Sequence, residues 1–141
     1  MFENTMELSF SAISENEAFA RVAVAAFVGK LNPTIAEVTE VKTAVSEAVT
    51  NAIIHGYEGM TGDLRVRLMC RISGSKVYVE ITDTGRGIDD IAKAREPLYT
   101  SKPEMERSGM GFTVMEEFMD DVEVVSGVGN GTTVRLIKTI G

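Results

Sequence analysis

The chain opens on a strict two-residue alternation. Met6, Leu8, Phe10 and Ala12 are apolar, and Glu7, Ser9 and Ser11 between them are polar. That period predicts a strand with one buried face. Ser14-Glu-Asn-Glu17 then has the form of a capping box, with Ser14 as N-cap and Glu17 at the third helical position. The helix it would open reaches about Leu31 and carries Phe19, Val22, Ala23, Ala26 and Phe27 as its apolar stripe. Asn32-Pro33 breaks it. Thr34 and Glu37 form a second capping box. The helix behind it runs through Val38, Val41, Ala44, Val45, Ala48 and Ala52 to Ile54 or His55, with Gly56 as its terminator.

After a loop from Glu58 to Gly62, the alternation returns. Leu64, Val66, Leu68, Cys70 and Ile72 interleave with Arg65, Arg67, Met69 and Arg71, which predicts a strand over Asp63 to Ile72. Ser73-Gly-Ser75 is a hairpin signal, and Val77, Val79 and Ile81 mark the returning strand. A short helical piece follows from Ile88 to about Arg95. Glu96 to Ser108 has no clear period. Gly109-Met-Gly111 opens a helix from Phe112 to about Met119, and two strands close the chain, Val122 to about Ser126 and Thr132 to Lys138. Hairpin-joined strands imply a mixed, mostly antiparallel sheet. Helices on one face of it make an α/β two-layer sandwich.

Composition narrows the function classes. The 141 residues favour one domain spanning 1–141 with one core. At 44% hydrophobic and 25% charged residues, the balance is that of a globular protein and argues against disorder. A net charge of −7 argues against direct nucleic-acid binding. The single cysteine, Cys70, provides neither a disulfide framework nor a zinc site and reads as a small buried residue. Met1 to Phe10 lacks a basic leader, and the longest apolar run, Val22 to Val28, is too short for a bilayer. The expectation is a cytoplasmic protein without membrane contact.

Candidate chemistry lies in four places. Glu47, Asn51 and His55 recur at i, i+4 and i+8 and so share one strip of the second helix. A carboxylate one turn from a carboxamide suits a catalytic base beside a metal ligand, and it equally suits a solvated face. Asp83-x-Gly85-x-Gly87 follows a strand, which holds a carboxylate where it can accept a hydrogen bond from an exocyclic amine such as that of adenine. Gly109-Met-Gly111 precedes a helix, where backbone N–H groups suit a phosphate chain. Gly129-Asn-Gly131 makes a compact turn, after which Thr132 or Thr133 could offer a hydroxyl. No Walker A loop occurs. From the residues alone, the reading stops at an ATP-binding sandwich with phosphoryl transfer.

The order of these motifs resembles the Bergerat-fold ATP-binding superfamily of DNA gyrase, Hsp90, histidine-kinase catalytic domains and MutL. Glu47 to His55 is similar to its N box, and the glycine clusters are similar to its glycine boxes. A closer resemblance, on Ser14-Glu-Asn-Glu17, Phe19-Ala-Arg21, Ser46 to Gly56, Thr100-Ser-Lys-Pro103 and Glu106 to Phe112, is to the anti-sigma-F family of endospore-forming bacteria. That resemblance implies a homodimer that silences a sporulation sigma factor. It also implies a serine/threonine-protein kinase that uses ATP and Mg2+ to phosphorylate a serine on an anti-anti-sigma protein, with ADP as product. A stress-response anti-sigma kinase of the same branch, or a nucleotide-gated binding module, is the alternative. A sensor histidine kinase fits poorly, because the one histidine, His55, lies inside the nucleotide motif.

Carried over by resemblance, Glu47 is the general base and Asn51 the magnesium ligand. Asp83 reads adenine, with Gly85 and Gly87 beside it. Gly109, Met110 and Gly111 hold phosphate. Thr133 supports adenine recognition through water. Thr100, Ser101, Lys102, Arg107 and Ser108 belong to a short ATP lid at about 96–108. His55 and Arg107 fall near the phosphates, although a capping or packing role explains His55 equally well. Arg21 is a partner contact on the first helix.

Overall fold

The computed structural model describes residues 3–88, 91, 95 and 111–141. β1 (Asn4–Ser11) leads into α1 (Glu15–Val28), a 3₁₀ turn (Gly29–Leu31) and α2 (Ile35–Asn51). A π-helical segment (Ala52–Gly56) follows. Then come β2 (Arg65–Ser73), β3 (Lys76–Asp83), α3 (Gly111–Phe118), β4 (Asp121–Ser126) and β5 (Thr132–Thr139). The sheet order is β1-β2-β3-β5-β4. Every pairing among the described strands is antiparallel, so the sheet expected to be mixed has no parallel pair there.

One face of this sheet is the core. Phe10 pairs with Val66, Leu68 with Ile81, Cys70 with Val79 and Val79 with Leu136. All seven side chains are buried, as the period-two pattern requires. α2 lies between α1 and α3 on that face. Its apolar stripe of Val41, Ala44, Val45, Ala48 and Val49 is buried against the sheet, and the small alanines permit the close approach. The opposite face carries ion pairs such as Arg71–Glu80 at 3.7 Å and Arg135–Glu80 at 3.3 Å. Part-exposed pairs of this kind contribute little stability and keep the face wetted. Burial pushes the Cys70 thiol up to about 12, which leaves it an inert core residue.

Two expectations fail at α1. Its buried residues are Ala20, Val24, Phe27 and Val28. Phe19 and Val22, expected to be buried, are each 58% exposed. Apolar residues surround this helix on every side, so periodicity alone could not choose the inward face. The Ser14 capping box is also absent. Ser14 is already in the right-handed helical region, its side chain makes no capping bond, and its carbonyl accepts the Glu17 N–H at 3.2 Å. The Thr34 box forms in full, with the Thr34 hydroxyl accepting from Glu37 N–H at 3.1 Å and Glu37 accepting from Thr34 N–H at 2.8 Å.

The expected helix from Ile88 to Arg95 is described only at Ile88, which lies outside any helix, and at Ile91 and Arg95, where the Arg95 N–H donates to the Ile91 carbonyl at 3.1 Å. No described helix is long and apolar enough to cross a membrane.

Candidate nucleotide site

The candidate site lies where α2 ends against the β3 and β5 termini. Glu47 and Asn51 are half-buried on α2, one turn apart, which places Asn51 about 6 Å farther along the axis. The α-helix stops at Asn51, and the chain continues through Ala52–Gly56 with π geometry. The wider i→i+5 turn adds residues per turn. His55 therefore does not continue the straight strip of Glu47 and Asn51 that a uniform helix would give.

Gly56 ends the helical run as expected, for a different reason. It has no left-handed conformation. Its Cα instead faces the Asp83 carboxylate, and a Cβ there would come within 2.7 Å of Asp83 Cγ and Oδ2. The position demands glycine for space.

Asp83 is the last residue of β3 and lies on the core-facing side in register with Val77, Val79 and Ile81. It is 5% exposed. Burial raises its carboxyl above the usual range, and the backbone N–H groups of Gly85 and Thr132 pull it partly back. The Gly85 N–H donates to Asp83 Oδ1 at 2.9 Å. Gly85 sits against the Gly56 carbonyl, with no room for a Cβ.

Hydrogen bonds interlock the three segments around this carboxylate. The Arg86 N–H donates to the Gly56 carbonyl at 2.8 Å, and the Gly129 N–H donates to the Arg86 carbonyl at 2.7 Å. The Ile88 N–H donates to Ser126 Oγ at 2.7 Å, and the Ser126 hydroxyl donates to the Gly131 carbonyl at 2.9 Å. Tyr57 is buried, and its hydroxyl donates to the Arg65 carbonyl at 2.6 Å while accepting the Thr84 N–H at 2.8 Å.

One candidate lies on the opposite face from Asp83. Thr133 pairs with Thr82, and their hydroxyls lie 3.1 Å apart on the solvent-facing side of the sheet. Asp83 projects to the other side. The threonine on its face is Thr132, which is buried and pairs with Asp83 in register. Strand parity could have found it, since Thr132 shares the phase of the core residues Val134 and Leu136. Gly56, Tyr57 and Ser126 were also missed as site-building residues. Their contacts join segments distant in sequence, and nothing local signals them.

Gly85 and Gly87 lie in the Asp83 loop, and Gly111 is the buried first residue of α3. Thr100, Ser101, Lys102, Arg107, Ser108, Gly109 and Met110, with the lid expected at 96–108, lie outside the described residues. Arg21 is apart from the site, exposed on α1 and 3.5 Å from the Glu17 carboxylate. Ile13 before the helix, and Phe19 and Val22 on it, are also exposed. A groove of about 290 Å³ lined by Ser14, Glu15, Glu17, Ala18, Thr50, Ile53 and Ile54 separates the start of α1 from the end of α2. No cluster of three or more His, Cys, Asp or Glu side chains suited to a metal ion occurs among the described residues.

This sandwich, with a helix terminus set against a buried strand-end aspartate, is the architecture of an ATP-binding domain of the histidine kinase type. The family model of the histidine kinase-like ATPase domain matches residues 10–138. Solved structures bear out the fold. The RsbU and RsbW domains of Rv1364c from Mycobacterium tuberculosis superpose with a TM-score of 0.68 at 18% identity, over 97% of this chain and 32% of that one. The histidine kinase domain of the Erythrobacter litoralis EL346 blue-light activated kinase gives 0.58 at 17% identity, over 88% and 61%.

Among curated relatives, the anti-sigma F factor of Anoxybacillus flavithermus is 59% identical over 96% of this chain and 92% of its own length. That of Clostridium beijerinckii is 61% identical over 98% and 96%, and that of Thermoanaerobacter sp. is 55% identical over 99% and 96%. The chain belongs to the anti-sigma F factor family.

Proposed function

We propose that this chain is an anti-sigma factor that binds and inhibits a sporulation sigma factor. It uses ATP and Mg2+ to phosphorylate a serine on an anti-anti-sigma protein. It acts in the cytoplasm as a homodimer built from one domain per chain. The observation that carries the reading is the meeting of two sequence-distant motifs, since the helix of Glu47 and Asn51 ends directly against the buried carboxylate of Asp83. The relatives' name supplies the sigma partner.

The residues present suit the ligands. Glycines pack closely around the buried carboxylate, and in this reading Asp83 accepts a hydrogen bond from the 6-amino group of adenine. Thr132 stands on the same face. Magnesium prefers oxygen ligands and keeps several waters, so Asn51 with nucleotide phosphates holds it without an all-protein cage. The metal, when bound, neutralises phosphate charge. Gly111 starts a helix whose N-terminal N–H groups face anionic phosphate. Glu47 takes the proton of the incoming serine hydroxyl as it attacks. Phosphoryl transfer depends mainly on such alignment and charge neutralisation. Lys102 and Arg107 of the lid close over the triphosphate in this reading and exclude water. The exposed Ile13, Phe19, Arg21 and Val22, with the groove beside them, form the partner face.

The test combines the purified chain with ATP, Mg2+ and the anti-anti-sigma protein. Phosphate appears on a serine of that protein, and Glu47→Ala loses the transfer by a factor of about 100 or more while still binding ATP. Undiminished transfer by Glu47→Ala excludes Glu47 as the base.

A further inference from the structure

We infer that Tyr57, with Gly56 before it, is a positioning residue for base recognition. It touches no nucleotide and acts by fixing where Asp83 points. The inference rests on the assignment of Asp83 as the adenine reader.

Three observations carry it. First, the Tyr57 phenol is fully committed. It gives its one proton to the Arg65 carbonyl at 2.6 Å and accepts the Thr84 N–H at 2.8 Å, with Thr84 Oγ1 3.2 Å away. Thr84 is the residue directly after Asp83, so this bond fixes the peptide that leaves the reading carboxylate. The ring is 5% exposed, which holds the phenol in place.

Second, the Asp83 carboxylate lies against the Cα of Gly56, and the Gly56 carbonyl receives the Arg86 N–H at 2.8 Å. The dipeptide thus grips the Asp83–Arg86 loop on both sides of Gly85, whose own N–H orients Asp83 Oδ1. Removing the phenolic oxygen leaves the Thr84 N–H in a part-buried place without its partner, and the loop must shift to satisfy it.

Third, the dipeptide is continuous with the helix of Glu47 and Asn51 through the Ala52–Gly56 segment. One helix therefore sets the position of both the base-reading end and the phosphate end of the site.

The experiment measures affinities of the full chain for ATP and for inosine triphosphate, which carries a 6-oxo group in place of the 6-amino group. Wild type, Tyr57→Phe and Asp83→Asn are compared by calorimetry. In Tyr57→Phe the Kd for ATP rises about tenfold, inosine triphosphate binding changes less than about twofold, and the preference for ATP collapses. In phosphate transfer the KM for ATP rises by the same factor while kcat stays within about twofold. Gly56→Ala, which drives a Cβ into the carboxylate, collapses the preference further.

Preference retained in Tyr57→Phe but lost in Asp83→Asn overturns the positioning role. Preference retained in Asp83→Asn overturns the adenine assignment and the inference with it. A purely structural tyrosine would lower the melting temperature and leave the ratio of the two affinities unmoved.

Discussion

The loop junction around Asp83 and the outer face of α1 are built on opposite principles. At the junction, polar atoms are buried and every approach is tight. Asp83 is 5% exposed, its carboxylate is bonded to backbone N–H, and Gly56, Gly85 and Gly131 each stand where a Cβ would strike the neighbouring segment. On α1, apolar groups are exposed among the described residues. Phe19 and Val22 are each 58% exposed, and the helix begins without a side-chain cap. A junction so constrained keeps a small ligand's contacts in place, whereas an apolar surface left open gains by being covered by another protein. In the proposed function, binding of nucleotide and binding of protein are thus separated in the fold.

The largest contrast is expected from size changes at each place. Gly85→Ala sets a Cβ against the Gly56 backbone carbonyl and costs several kcal/mol, about 3 or more, in urea unfolding. Phe19→Ala on α1 costs less than about 0.5 kcal/mol. Comparable losses would erase the distinction.

A smaller contrast comes from the two helix starts. Thr34→Ala removes a formed capping box and costs about 1 kcal/mol. Ser14→Ala removes no capping bond and is near neutral. An equal cost at both positions would mean that the Ser14 hydroxyl caps α1 after all.

The smallest effect is a pH dependence. Burial raises the folded pKa of Asp83 above its unfolded value. The stability it contributes is therefore present below the ordinary carboxylate range and is lost as pH rises through the raised value. Asp83→Asn removes that slope, so the nucleotide-free variant melts no lower than wild type at neutral pH although ATP stabilises it less. A variant that melts several degrees lower without nucleotide would show that the carboxylate holds the loop together.

Much of this was legible in the sequence, for identifiable reasons. The strands were readable because one face of each is buried, which forces a period of two, as Val66 to Ile72 shows. α2 was readable because its outer face is polar and only one stripe is apolar. α1 was not, because its apolar residues point in every direction and only the sheet decides which are covered. The Asp83 loop announced itself by its glycines. Thr133 lies on the face of the sheet away from Asp83, and a parity count along β5 would have found that Thr132 shares the Asp83 face. The roles of Gly56 and Tyr57 needed the fold, since each acts on residues about thirty positions away in sequence.

The claim that α2 carries the chemistry and α1 carries the docking face is tested most directly by crossing Glu47→Ala with Arg21→Ala. Each variant is assayed for sigma-factor capture in the presence of ATP and for phosphate transfer to the anti-anti-sigma protein. Glu47→Ala is expected to capture the sigma factor as wild type does and to transfer no phosphate. Arg21→Ala is expected to lose sigma capture while its affinity for ATP is unchanged. Loss of ATP binding in Arg21→Ala, or loss of sigma capture in Glu47→Ala, would contradict that claim.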